Sequence, residues 1–145
     1  MESSELTKLI NDIPLEHANI RLRGQSKEGD SEKELYKKQL DALDAAEMAL
    51  LYTNLGLIRE CDSSSLALIK FALKEKWKSI GNESEVNDLK FAKLGEKMHS
   101  EGRFDSSGCE VELKDLYEQQ HLLDGQRKIL RELFAAVNAR AEELK

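Results

Sequence analysis

The sequence predicts an all-α chain, with four to five helices as antiparallel hairpins and a long C-terminal helix, arranged as a helical bundle or a short stack of helix-turn-helix repeats. Three observations carry this. Aromatic residues make up only 6% of the 145 residues, few for a sheet protein, whose strands favour aromatic and β-branched side chains. One proline and eight glycines leave few forced breaks. Apolar residues recur at three- and four-residue intervals over most of the length, the spacing of one helical face. The length suits a single hydrophobic core.

Taken in order, Ser3 or Ser4 caps a short helix reaching about Ile10, and Pro14 disfavours helical geometry in the residue before it. From Leu15 to Asp30 the composition turns polar, so residues 1–30 are expected to be a short helix followed by a loop or arm, with the all-α domain occupying 31–145. Ser31 and Glu34 have capping-box spacing and open a helix with Tyr36, Leu40, Leu43, Ala46, Leu50, Leu57 and Ile58 on one face. Apolar residues around Met48–Tyr52 widen that face, which marks this helix as the expected centre of the core. Asp62, Ser63 or Ser64 caps the next, with a stripe of Leu66, Ile69, Leu73, Trp77 and Ile80, and Gly81-Asn82 is the expected stop. A fourth helix, from about Ser84 to Ser100, carries Val86, Leu89 and Ala92 on one flank and Phe91, Leu94 and Met98 on another, which predicts neighbours on both sides. The last begins after Asp105–Gly108 and carries Val111, Leu116, Leu122, Leu123, Ile129, Leu130, Leu133, Phe134, Val137 and Leu144. Asp124-Gly125 is the expected place for a kink or a split in it.

Two segments resemble one another. Tyr52-Thr53-Asn54-Leu55-Gly56 parallels Phe91-Ala92-Lys93-Leu94-Gly95, and a Ser-rich turn follows each. The second copy continues to Gly102 and Phe104, a pattern that resembles the first half of a tetratricopeptide repeat. The resemblance covers roughly Ala45 to Gln120. It implies stacked helix pairs with a concave protein-binding side, Gly56 and Gly95 allowing close helix packing and Gly102 sitting at a turn. The pattern departs from the family at Leu68 and Ser107, where a small residue and then a closing proline are expected, and in a spacing of about 39 residues rather than 34.

Charge and cysteine content exclude several classes of function. A net charge of −6 opposes non-specific nucleic-acid binding, which depends on Lys and Arg neutralising phosphates. No stretch approaches a membrane span, and Met1–Asp12 has neither a basic leader nor a sustained apolar run. The two cysteines, Cys61 and Cys109, are isolated, which fits a reduced, cytoplasmic setting. Lys70, Lys74 and Lys78 line one side of a helix and read as a solvated face.

Few residues suggest chemistry. Glu96-Lys-Met-His99 and Glu118-Gln-Gln-His121 each place a carboxylate and an imidazole on one helix side, as in di-metal carboxylate bundles, and Glu47 and Glu60 could supply the further carboxylates. On a 100° helical projection, however, His121 lies away from the apolar stripe centred near Leu123 and Leu133, so no metal site is expected. His17 merely follows Glu16, and no glycine-rich phosphate loop occurs. The sequence therefore predicts a non-catalytic protein-binding module, without cofactor, metal or catalytic residues: an adaptor, chaperone or regulatory subunit. A homo-oligomer stays open. One alternative is an acidic inhibitor or immunity-type protein that blocks a basic enzyme through Asp105, Glu110, Glu112, Asp115 and Glu118. The other is a di-metal enzyme.

Overall fold

The computed structural model describes residues 3–25, 30–100 and 110–145. The described chain is helical: α1 (Ser3–Thr7), a π-helical turn (Lys8–Asp12), α2 (Ile13–Gln25), α3 (Asp30–Glu60), α4 (Ser63–Ser100) and α5 (Glu110–Glu143). Helix α5 is the centre, with α2, α3 and α4 all packed against it. Helices α3 and α4 are joined only by Cys61 and Asp62 and diverge from that turn.

Three sequence expectations are corrected. First, helix continues through Pro14, and the segment from Leu15 to Gln25 is not a loop. A proline in a regular helix lacks the N–H and its ring strikes the carbonyl four residues back. The π-helical turn just before Pro14 widens the helix at that point, and Ile13 donates its N–H to the Lys8 carbonyl five residues back. Leu9, Ile10 and Ile13 are buried there.

Second, Gly81-Asn82 does not stop a helix, since α4 runs uninterrupted for 38 residues. Glycine within a helix costs about 1 kcal/mol relative to alanine. Against that stands a row at seven-residue intervals, Leu66, Leu73, Ile80, Asn87 and Leu94, buried on both sides of the glycine. Burying one such aliphatic side chain contributes roughly 1.5–3 kcal/mol, so the row wins. Helix α5 answers with Leu116, Leu123, Leu130 and Val137, also seven apart and buried. The pair forms an antiparallel coiled-coil hairpin. Nor does Gly125 split α5, which continues from Glu110 to Glu143.

Third, the central helix is α5, not α3. Leu43, Leu51 and Ile58 of α3 are buried, but Met48 and Tyr52 are exposed. Trp77 is 39% exposed at the core's margin, its ring edge-on to Phe134 at 6.1 Å, and is not the core residue its stripe suggested.

The turn between α3 and α4 is fixed locally. Asp62 caps α4, its carboxylate accepting the Ser65 N–H at 2.8 Å and its carbonyl accepting the Leu66 N–H. The Cys61 thiol donates to the Ile58 carbonyl, and Arg140 of α5 donates to the Cys61 carbonyl at 3.0 Å. That last bond places the ends of α3 and α5 side by side, so these two helices run in the same direction and α4 runs against both.

The helices are too long for the repeat that the paired Leu-Gly segments resemble. At 31, 38 and 34 residues, each is about as long as a whole 34-residue repeat, which holds two helices and a turn. A Cβ built at Gly56 or Gly95 meets nothing within 4 Å, so neither glycine serves close helix packing. Gly102 and Phe104 lie outside the described residues.

Candidate functional site

Close approach is the role of a different glycine. A Cβ at Gly125 would stand 2.9 Å from the Cβ of Pro14, so its absence lets α2 lie directly on α5. Helix α2 runs against α5: Asn11 is paired with Gln126, Pro14 touches Gly125, and one turn further His17 comes level with His121. On the other side of α2, α3 presents Asp44 and Glu47, three residues apart and so on one face.

These three helices enclose a cavity of about 210 Å³ lined by His17 and Arg21 of α2, Asp44 and Glu47 of α3, and His121, Asp124 and Lys128 of α5, over a floor of Pro14, Ala18, Gly125 and Ile129. His17 is its focus. Its Nε2 lies 2.9 Å from Glu47 Oε2 and 3.2 Å from Asp44 Oδ1, with the His17 and Glu47 side chains only 13% and 12% exposed. Its Nδ1 is buried without a hydrogen-bond partner. Both carboxylates approach the same ring nitrogen, so they share its single N–H as hydrogen-bond acceptors.

Sequence reasoning placed these residues only in part. Glu47 was named as a possible ligand. His121 was set aside as pointing away from the core, and that is corrected here. It points away from the α4-facing stripe but toward α2, whose helix the sequence did not predict at that position. The remaining members of the twin Glu-x-x-His pattern do not join it: Glu96 and His99 are exposed, and half-buried Glu118 does not line the cavity; Glu60, proposed beside them, is exposed as well. His17 was set aside as merely adjacent to Glu16, and Asp44 was missed. The available signal was the pair of i, i+3 spacings, Asp44 to Glu47 and His121 to Asp124.

From this cavity a polar chain crosses α5 toward α4. Asp124 accepts from Gln120 at 2.9 Å, and the Gln120 carbonyl accepts from the buried Asn87 at 3.1 Å.

The proposed acidic surface has a different setting. Glu112 and Asp115 line a groove of about 570 Å³ between α4 and α5 whose other wall is Lys90, Lys93 and Lys97. The carboxylates thus face lysines of their own chain, a weak basis for attracting a basic enzyme. Glu118 is half-buried. Asp105 lies outside the described residues, and of Glu110 only the backbone is described.

A second surface stands on the outer side of α4. Leu68, Phe71 and Leu89 each sit two positions from a member of the buried row, about 200° around the helix. They are 73%, 66% and 62% exposed, and Val86 beside Leu89 is 51% exposed. Of the two apolar flanks read for this part of the chain, the one bearing Phe91, Leu94 and Met98 packs on Leu113 and Leu116. The other is uncovered, contrary to the expectation of a neighbour on each side. Among the described residues, no helix is long and apolar enough to cross a membrane. No protein-family model, curated protein or solved structure matches the chain.

Proposed function

We propose that the chain is a protein-binding module whose α4–α5 hairpin presents the outer side of α4 to a helix of a partner protein. The single observation behind this reading is the uncovered apolar set Leu68, Phe71, Val86 and Leu89 on a helix about 57 Å long. Isolated exposed leucines are ordinary on a protein surface. The four fall into two pairs, Leu68 with Phe71 and Val86 with Leu89, each three residues apart, which is one of the anchor spacings by which a helix docks on an apolar face. Adaptor, chaperone and regulatory subunit are all roles such a surface serves. The mixed charge of the groove between α4 and α5 gives no support to the acidic-inhibitor alternative.

The test is capture of partners by immobilised full-length chain, compared with a Leu68→Glu/Phe71→Glu/Leu89→Glu variant. The expected result is a partner held by the wild type and released by the variant, with helical content and melting temperature preserved. Capture indifferent to the substitutions, or no partner above bare resin, ends this reading. Light scattering of the wild type separates a second copy of the chain from a different protein.

A further inference from the structure

We infer that His17, Asp44 and Glu47 form a binding site for a divalent first-row transition ion such as Zn²⁺, which ties α2 to α3 beside α5. Two of the three ligand-atom distances already suit a shared ion, and Asp44, its side chain 62% exposed, completes the set from the solvent side. Bonds of about 2.0–2.1 Å put neighbouring ligand atoms roughly 2.9 Å apart in octahedral and 3.3 Å apart in tetrahedral coordination. His17 Nε2 lies 2.9 Å from Glu47 Oε2 and 3.2 Å from Asp44 Oδ1, and all three ligand atoms fall within 4.8 Å of one another. One imidazole with two carboxylates suits zinc, manganese or iron better than magnesium or calcium, which take oxygen ligands.

The surroundings supply further donors together with opposing charges. His121 and Asp124 line the same cavity, so donors from a third helix stand nearby. Arg21 and Lys128 also line it, and their two charges offset two of the three carboxylates of Asp44, Glu47 and Asp124. That balance lowers affinity for a cation without favouring an anion. The unpartnered Nδ1 sets a further limit. Most metal-bound histidines donate their second N–H to an acceptor, and lacking one weakens binding by about 10–100-fold. The expected affinity is therefore about 10–100-fold below that of the same ligands with such an acceptor in place.

The site is independent of the outer side of α4 and stands or falls alone. The experiment is titration of the metal-free full chain with Zn²⁺, read by calorimetry and by thermal unfolding. One ion per chain is expected, with a rise in unfolding midpoint because the ion binds the folded state. Glu47→Gln keeps volume and a hydrogen-bond acceptor but removes the charge, and His17→Gln removes the imidazole. Each should weaken binding at least tenfold and abolish the midpoint rise, while His99→Asn on the exposed end of α4 leaves both unchanged. No binding by the wild type overturns the inference. So does binding that survives both Glu47→Gln and His17→Gln, which would place the ion at a cysteine or a surface histidine.

Discussion

At the scale of single residues, two glycines in helices have opposite meanings. Gly81 sits where an added Cβ meets open space, so Gly81→Ala gains helix propensity without cost. It should stabilise the chain by about 0.5–1 kcal/mol in urea denaturation. Gly125→Ala gains the same propensity but drives a methyl to 2.9 Å from the Pro14 ring, which cannot rotate away. Overpacking of this kind costs about 1–3 kcal/mol, so the net effect should be a loss of about 1 kcal/mol. If both alanines stabilise equally, α2 does not lie against α5 as closely as described. Asp62 gives a test in pH. The Ser65 backbone N–H bonded to its carboxylate holds its pKa below the ordinary 3.8. A pKa lowered by folding means a contribution that is complete above the unfolded value and lost as pH falls through the folded one. The stability difference between wild type and Asp62→Asn should therefore be flat from about pH 7 to 5 and change only below about pH 4. A difference that varies near neutrality would implicate another group.

At the scale of elements, the sequence disclosed helix starts better than helix ends. The Asp62 cap, the opening at Asp30 or Ser31 and the apolar face of α5 were legible because each is a local chemical signal. The continuity of α4 through Gly81 was not, because a local penalty of about 1 kcal/mol was weighed without the partner helix that outweighs it. The helix through Pro14 was hidden for a related reason. Its compensation is a widened turn, which no residue type announces. That miss carried the site with it: without α2 as a helix, His17 had no face, and His121 had nothing to point toward. Glu47 and His121 were weighed as ligands only within the di-metal reading and set aside with it. The buried Asn87 interrupts an otherwise aliphatic row and bonds to Gln120 across the hairpin. A polar residue in such a row fixes register and partner number at a cost in stability. Asn87→Leu should raise the melting temperature by several degrees and produce mixed oligomers in light scattering. A lower melting temperature with a single species would mean that the Asn87–Gln120 bond contributes stability instead.

At the scale of the whole molecule, the core is distributed unevenly along the α4–α5 hairpin. The main cluster draws on every helix and is densest on α5, where Leu123, Leu130, Leu133 and Val137 are fully buried. Toward Ser100 the hairpin is held by a separate small group, Leu94 and Leu116 with Phe91, Met98 and Leu113 at their edges. A segment with few buried apolar neighbours opens locally at low free energy, whereas amides of the densest region exchange only through global unfolding. Hydrogen exchange should therefore be slowest around residues 123–137 and markedly faster at 91–98 and 113–116. Substitution should follow the same division. Leu130→Ala empties a site at the convergence of the helices and should cost about 3–5 kcal/mol, read as a shift of the global transition. Leu94→Ala should cost about 2 kcal/mol or less and speed exchange mainly at its own end of the hairpin, because the partly exposed group around it relaxes into the space. Equal protection at both ends would mean that the hairpin unfolds as one unit with the bundle, and that the outer side of α4 is presented on a rigid rod along its full length.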